Sequence, residues 1–271
     1  DRAFGIAPER DLPKFKRETL VDWFANRDST VPEATAERTV VLYPDVYTNY
    51  VLTSRGKAAV HTLEALDVHV ELATPIESGR APLSQGMIQT ATNLAEDVAA
   101  DLRPHLDEGR DLVVIEPSDL AMVRREYDKL LDSDAFECLS ENSYDIMEYV
   151  YGLLANGADM DELAEVNDSI AYHSHCQQRT LGVDAYTEAI FEEFGVDFVT
   201  SDVECCGMAG SFGYKSQYYE LSMDLGSDLA EQFEGTDRTV VASGTSCTEQ
   251  LSAFFRQDVT HPIEVIAPSG R

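Results

Sequence analysis

The chain has 271 residues, 50 of them acidic and 20 basic, for a formal net charge of −30, and 44% are hydrophobic. That apolar share supports a packed core and argues against disorder, while the acidic surface disfavours nucleic acid, whose phosphates need basic groups. The acids are spread along the chain, which reads as a protein of a high-salt cytoplasm, where salt screens the self-repulsion.

The first residue is Asp1 and not Met, so a piece of a longer protein is expected. No apolar run approaches the roughly 20 residues that span a bilayer. The expected location is therefore cytoplasmic, with any membrane association peripheral. Five cysteines are an odd number in a chain too large for a disulfide mini-scaffold, which favours a reducing compartment and ligand chemistry.

In chain order, residues 1–38, with Pro13, Trp23 and Phe24, read as a lead-in that packs on the first α/β segment after it. Val40–Tyr43 is a short β-branched strand, followed by a turn and a helical pattern. Leu63–Leu72 reads as a helix end, a turn and a buried strand. Glu77-Ser78-Gly79 follows that strand. Met87–Leu106 carries Ile88, Ala91, Leu94, Ala95, Val98 and Leu102 at a 3.6-residue period, which predicts a helix. Val113–Asp119 is a strand and its exit. Residues 132–168 are helical and acidic and read as a bridge.

The series then begins again. Ser169–Tyr172 repeats the first strand, Phe191–Thr200 resembles Leu63–Leu72, Cys205-Cys206-Gly207 stands where Glu77-Ser78-Gly79 stood, and Val241–Cys247 matches Val113–Asp119. The offset is 128 residues from 78 to 206 and from 119 to 247, and 129 from Tyr47 to Cys176. The chain is thus read as two α/β copies, residues 39–131 and 169–271. Each is a Rossmann-like repeat with a parallel sheet and helices on its faces. Ligands of such sheets sit beyond the carboxyl ends of strands, so the three landmarks of each copy are expected to converge.

In the second copy the landmarks are Cys176, Cys205, Cys206 and Cys247, soft thiolate ligands suited to an iron–sulfur cluster or zinc. Gly207, Gly210 and Gly213 allow close backbone approach, with amides left to hydrogen-bond sulfur. Adjacent cysteines fit different irons of a cluster more easily than one zinc ion. His175 is a candidate for ligation, a hydrogen bond to sulfur or proton transfer. Buried packing of all four thiols is the plainer alternative, and a labile Cys205–Cys206 bridge is another. Cys138 is assigned to packing, and His261 receives no role. In the first copy Tyr47, Glu77, Ser78 and Asp119 replace the thiols. That site is read as lost, its acids as surface acids.

Tyr172–Leu181 (YHSHCQQRTL), Glu204–Tyr214 (ECCGMAGSFGY), Ala242–Gln250 (ASGTSCTEQ) and His261–Val265 (HPIEV) resemble the cysteine-rich CCG domain. That domain occurs in glycolate oxidase and glycerol-3-phosphate dehydrogenase iron–sulfur subunits, in heterodisulfide reductase and in the C-terminal part of large FAD-linked D-lactate or 2-hydroxyacid dehydrogenases. The resemblance implies tandem CCG-type domains and electron transfer. It makes the four cysteines metal ligands of a [4Fe-4S] cluster, with zinc as the alternative. It also implies an FAD domain and a ferredoxin-like segment elsewhere, and an acceptor such as a quinone or cytochrome. The family motif ends in Cys-x2-Cys, whereas Gly244 stands at the first of those places here, so four cysteines are expected rather than five.

Overall fold

In the computed structural model, residues 5–235, 237–255 and 258–268 are described. In chain order the helices and strands are α1 Leu20–Ala25, β1 Arg38–Tyr43, α2 Val46–Tyr50, α3 Thr53–Ala65, β2 Val68–Leu72, α4 Arg80–Ser84, α5 Ile88–Asp107, β3 Asp111–Val114, α6 Pro117–Arg124, α7 Ser133–Glu141, β4 Ser143–Asp145 and α8 Ile146–Ala155. The series continues with β5 Ile170–His173, α9 Cys176–Leu181, α10 Asp184–Glu193, β6 Phe198–Thr200, α11 Tyr219–Phe233, β7 Thr239–Ala242, α12 Thr245–Phe255 and α13 Pro262–Ile266. The chain divides into two compact units, one made mainly of Phe15–Glu165 and the other mainly of Val166–Pro262.

The first unit holds a four-stranded parallel sheet in the order β2-β1-β3-β4. Its central strands run as Val40, Val41, Leu42 and Leu112, Val113, Val114, all essentially buried, the continuous apolar run that a parallel strand covered on both faces requires. Helix α5 buries Ala91, Ala95, Val98, Leu102 and Leu106 on one stripe. Ile88, expected on that stripe, is 54% exposed; it is the first residue of the helix.

The second unit holds β6-β5-β7, again all parallel, with Thr260 bridging to Val241 in the place of a fourth strand. Two parallel α/β sheets are what the repeat predicts.

The residues expected to bridge the copies do more than bridge. β4 pairs with β3, and α8 buries Ile146, Met147, Tyr149, Val150 and Leu153, so this stretch completes the first unit. The lead-in is also divided. From Phe15 it is counted with the first unit, whereas the described residues up to Lys14 belong to the second. There Ala7 N–H donates to the Tyr214 carbonyl at 2.8 Å.

The ladder registers refine the repeat. Val40 pairs with Asp111 and Ile170 with Thr239, so β1 and β5 correspond at an offset of 130 while β3 and β7 correspond at 128. Cys176 therefore stands at the place of Val46, and not of Tyr47. The two-residue difference falls between the first strand and the second: Val40 pairs with Val70, thirty residues on, and Ile170 with Phe198, twenty-eight residues on.

Candidate metal centre

All four thiols of the second unit lie beyond the carboxyl ends of its strands. Cys176 opens α9 after β5, Cys205 and Cys206 lie in the loop after β6, and Cys247 is in the first turn of α12 after β7. The sheet order puts β5 between β6 and β7, so the exits of β5 and β7 flank the crevice where the winding reverses. The thiols form a run of neighbours. Cys176 and Cys205 act on each other electrostatically, Cys205 shares a hydrogen bond with Cys206, and Cys206 shares one with Cys247. Cys206 and Cys247 are buried, Cys176 is half-buried and Cys205 is exposed. The two buried thiols sit against Ala171, Leu229, Val240, Ala242 and Leu251 of the core.

Burial raises the Cys176 thiol above its usual range, with Cys205 adding to the rise and Arg179 opposing it. Cys205 is raised by its hydrogen bond with Cys206 and then by burial. Cys206 is also raised. The hydrogen bond it receives from Cys205 acts the other way, and its hydrogen bond to Cys247 together with burial outweighs it. Thiols in this state are protonated at neutral pH, and a coordinated cation is what turns such groups into thiolates.

The backbone around the pair is built for close approach. Gly207 has φ +83°, and a Cβ there would lie 2.5 Å from the Ser222 carbonyl oxygen. Its N–H donates to Cys205 Sγ at 3.4 Å. The Met208 N–H also donates to Cys206. Gly210 takes φ +60°, and its N–H goes to Ser246 Oγ at 3.3 Å, tying this loop to the start of α12.

His175 caps α9. Its Nδ1 accepts from Gln177 N–H at 3.1 Å and its own N–H donates to Ser243 Oγ at 2.9 Å. Its ring packs on Gly244, where a Cβ would lie 2.2 Å from His175 Cδ2. The imidazole thus fills the space that a side chain at 244 would need. His173 is fully buried on β5, with Nδ1 2.6 Å from Ser201 Oγ, and burial lowers its pKa to about 3.

Three residues outside the cysteine pattern hold this arrangement. Arg179 donates to the carbonyls of Ser174, Val203 and Glu204 at 2.8–3.1 Å, tying the β5 exit to the Cys205 loop. Its place three residues after Cys176, one helical turn on, is the signal that could have found it. Arg10 donates to the Gly213 carbonyl at 3.0 Å, to Ser222 Oγ at 3.1 Å and to Gln250 Oε1 at 2.6 Å, and no sequence signal links it to a loop 203 residues away. His261 Nε2–H donates to the Ser243 carbonyl at 3.0 Å, fixing the turn before Cys247. Cys138, on α7, is half-buried and lines a surface groove with Ala99 and Leu106 of α5 and with Leu139.

The first unit repeats the frame with different atoms. Gly79 has φ +83° like Gly207. Asp45 caps α2 as His175 caps α9. Ser78 donates to Asp119 where Cys206 meets Cys247. Glu77 is exposed, as a surface acid should be, but Asp119 is not fully so. Asp45 and Glu116, which the cysteine spacing did not mark, are both buried.

The cysteine-rich domain CCG is matched over residues 170–252, so the likeness read from the cysteine segments is borne out there. Over 272 residues the chain is 25% identical to a subunit of anaerobic glycerol-3-phosphate dehydrogenase from Escherichia coli (strain K12), covering 98% of this chain and 67% of that protein. It is 27% identical over 240 residues to D-2-hydroxyglutarate dehydrogenase of Pseudomonas putida, covering 86% of this chain and 22% of the relative. D-2-hydroxyglutarate dehydrogenase of Escherichia coli (strain K12) is also 27% identical, again with 22% of its length covered. The chain spans about two thirds of the first relative and less than a quarter of the other two. These relatives are dehydrogenases or parts of them, which supports an oxidoreductase role. Among the described residues no helix is long and apolar enough to cross a membrane.

Proposed function

We propose that Cys176, Cys205, Cys206 and Cys247 hold an iron–sulfur cluster of the [4Fe-4S] type, and that the chain is the electron-transfer part of an FAD-linked 2-hydroxyacid dehydrogenase. FAD, a ferredoxin-like segment and an acceptor such as a quinone or cytochrome would then lie outside this chain. The observation that carries the reading is the convergence of four thiols on the strand-end loops of one sheet, with Cys205 and Cys206 adjacent in the chain. Adjacent cysteines fit different irons of a cluster more easily than one zinc ion.

When bound, a cluster supplies one-electron transfer. The chain's own part is to hold it and set its surroundings. The Gly207 and Met208 amides donate to Cys205 and Cys206, and hydrogen bonds to sulfur raise a reduction potential. Arg179 offsets negative charge near Cys176 and Cys205. Buried Cys206 and Cys247 keep water from one side, while exposed Cys205 faces the side from which an electron partner could approach. His175 is read as a neighbour that holds the Cys176 turn against Gly244 and not as a ligand, since its Nδ1 is engaged by Gln177. Gly207 and Gly210 are read as cluster-contacting backbone.

A second reading, a zinc-stabilised docking module of the same oxidoreductase, rests on the same four thiols. The test is iron, sulfide and zinc content of protein purified without oxygen, with its visible spectrum before and after dithionite. About four irons and four sulfides with a bleachable band are expected. One zinc and no iron would replace this reading by the second.

A further inference from the structure

The first unit buries acids where the second buries thiols. Asp45 follows β1 and is 3% exposed. Its Oδ1 accepts from the Tyr47 and Thr48 N–H groups at 2.9 and 3.0 Å, whereas Oδ2 is buried and has no hydrogen-bond partner. Glu116 follows β3 and is 7% exposed, with Oε1 accepting from Ser118 N–H at 3.2 Å. Asp119 lies one turn further along α6 and accepts from Ser78. Glu116 is the charge that acts most on Asp45, and Asp45 and Glu116 are those that act most on Asp119. The cations felt here are Arg55 by Asp45 and Arg80 by Asp119. Asp45, Glu116 and Asp119 thus lie close enough at the strand exits to act on one another. A buried carboxylate oxygen without a partner is costly unless something neutralises it.

The positions add to the argument. In the strand registers Asp45 corresponds to His175, Glu116 to Gly244, Ser78 to Cys206 and Asp119 to Cys247. β1 and β3 are adjacent and the winding reverses between them, the usual place for a ligand in such a sheet. We propose that this crevice of the first unit binds one hydrated divalent cation of the Mg2+ class through Asp45, Glu116 and Asp119. An all-oxygen donor set selects hard cations. The three carboxylates do not form a set within 4.8 Å, which suits an ion that keeps several of its waters, and the partial exposure of Asp119 gives it a way in. The one tight set among the described residues, Glu33, His69 and Glu71, is different: Arg110 already pairs with both glutamates.

The proposal is independent of what the thiols hold. It is tested on the whole chain with its thiol site filled as purified, using Mn2+ as an electron-paramagnetic probe in about 1 M KCl, which screens loose binding to the acidic surface. One saturable Mn2+ per chain, displaced by Mg2+, is expected. Asp45→Asn and Asp119→Asn should each weaken it at least tenfold, and Glu77→Gln should not. Mg2+ should also raise the melting temperature of the unaltered protein at matched ionic strength. No saturable Mn2+, equal affinity in all three variants, or a melting temperature that Mg2+ leaves unmoved would each overturn the proposal.

Discussion

The two units place the same backbone beneath opposite chemistries. In both, a first strand ends in a capped helix, a second ends in a glycine with φ +83°, and a third ends in a helix whose first turn faces that glycine loop. In one, Cys206 meets Cys247; in the other, Ser78 meets Asp119. Exchanging sulfur for oxygen at fixed geometry exchanges a soft donor set for a hard one. What differs between the units is therefore side-chain chemistry at a handful of strand-end positions, while the parallel strands and the glycine at φ +83° are common to both.

The comparison breaks most visibly if metal does not follow sulfur. Cys206→Ser or Cys247→Ser should lose most of the iron and sulfide and the visible band, whereas Ser78→Ala and Asp119→Asn should leave both unchanged. Elemental analysis of the four variants decides it, and loss of iron in the Ser78 or Asp119 variant would show that the units are not chemically separate.

A smaller effect concerns stability against pH in the first unit. Asp45 is raised to about 6, first by burial and then by Glu116, against an ordinary value of about 3.9. The folded chain thus binds more protons than the unfolded one between these values. The stabilisation is present below about pH 4 and is lost as pH rises to about 6, on the order of 2–3 kcal/mol in all. Denaturant unfolding of the unaltered protein in a chelating buffer should show that fall, and Asp45→Asn should flatten it. The second unit has no matching carboxylate, because His175 stands at this position.

The smallest effect tests the His175–Gly244 contact. Gly244→Ala should cost about 1–3 kcal/mol of stability, the usual range for overpacking, because the new Cβ enters the imidazole. His175→Ala in the same chain should recover part of that loss, since residues in contact do not act additively. Additive losses in a double-mutant cycle would show that the two positions are not in contact.

The repeat, the parallel α/β class and the four thiols were legible from spacing alone, because strand ends and cysteines leave local marks. Arg10 and His261 were not legible. Each is held by partners fixed only when distant segments meet, as Arg10 is by Gly213, Ser222 and Gln250. The offset of 129 read from Tyr47 to Cys176 was one residue out for the same reason. Strand register is set by hydrogen bonding across the sheet and not by the run of residues along the chain.

By itself, then, the sequence determined where the sulfur lies and that two similar sheets would carry it. Only the tertiary structure decided which acids are buried together. Asp45 and Glu116 are 71 residues apart in a chain with acids everywhere. What separates them from the solvated majority is that β1 and β3 pair and bring their exits together, and burial there raises Asp45 above the usual carboxylate range.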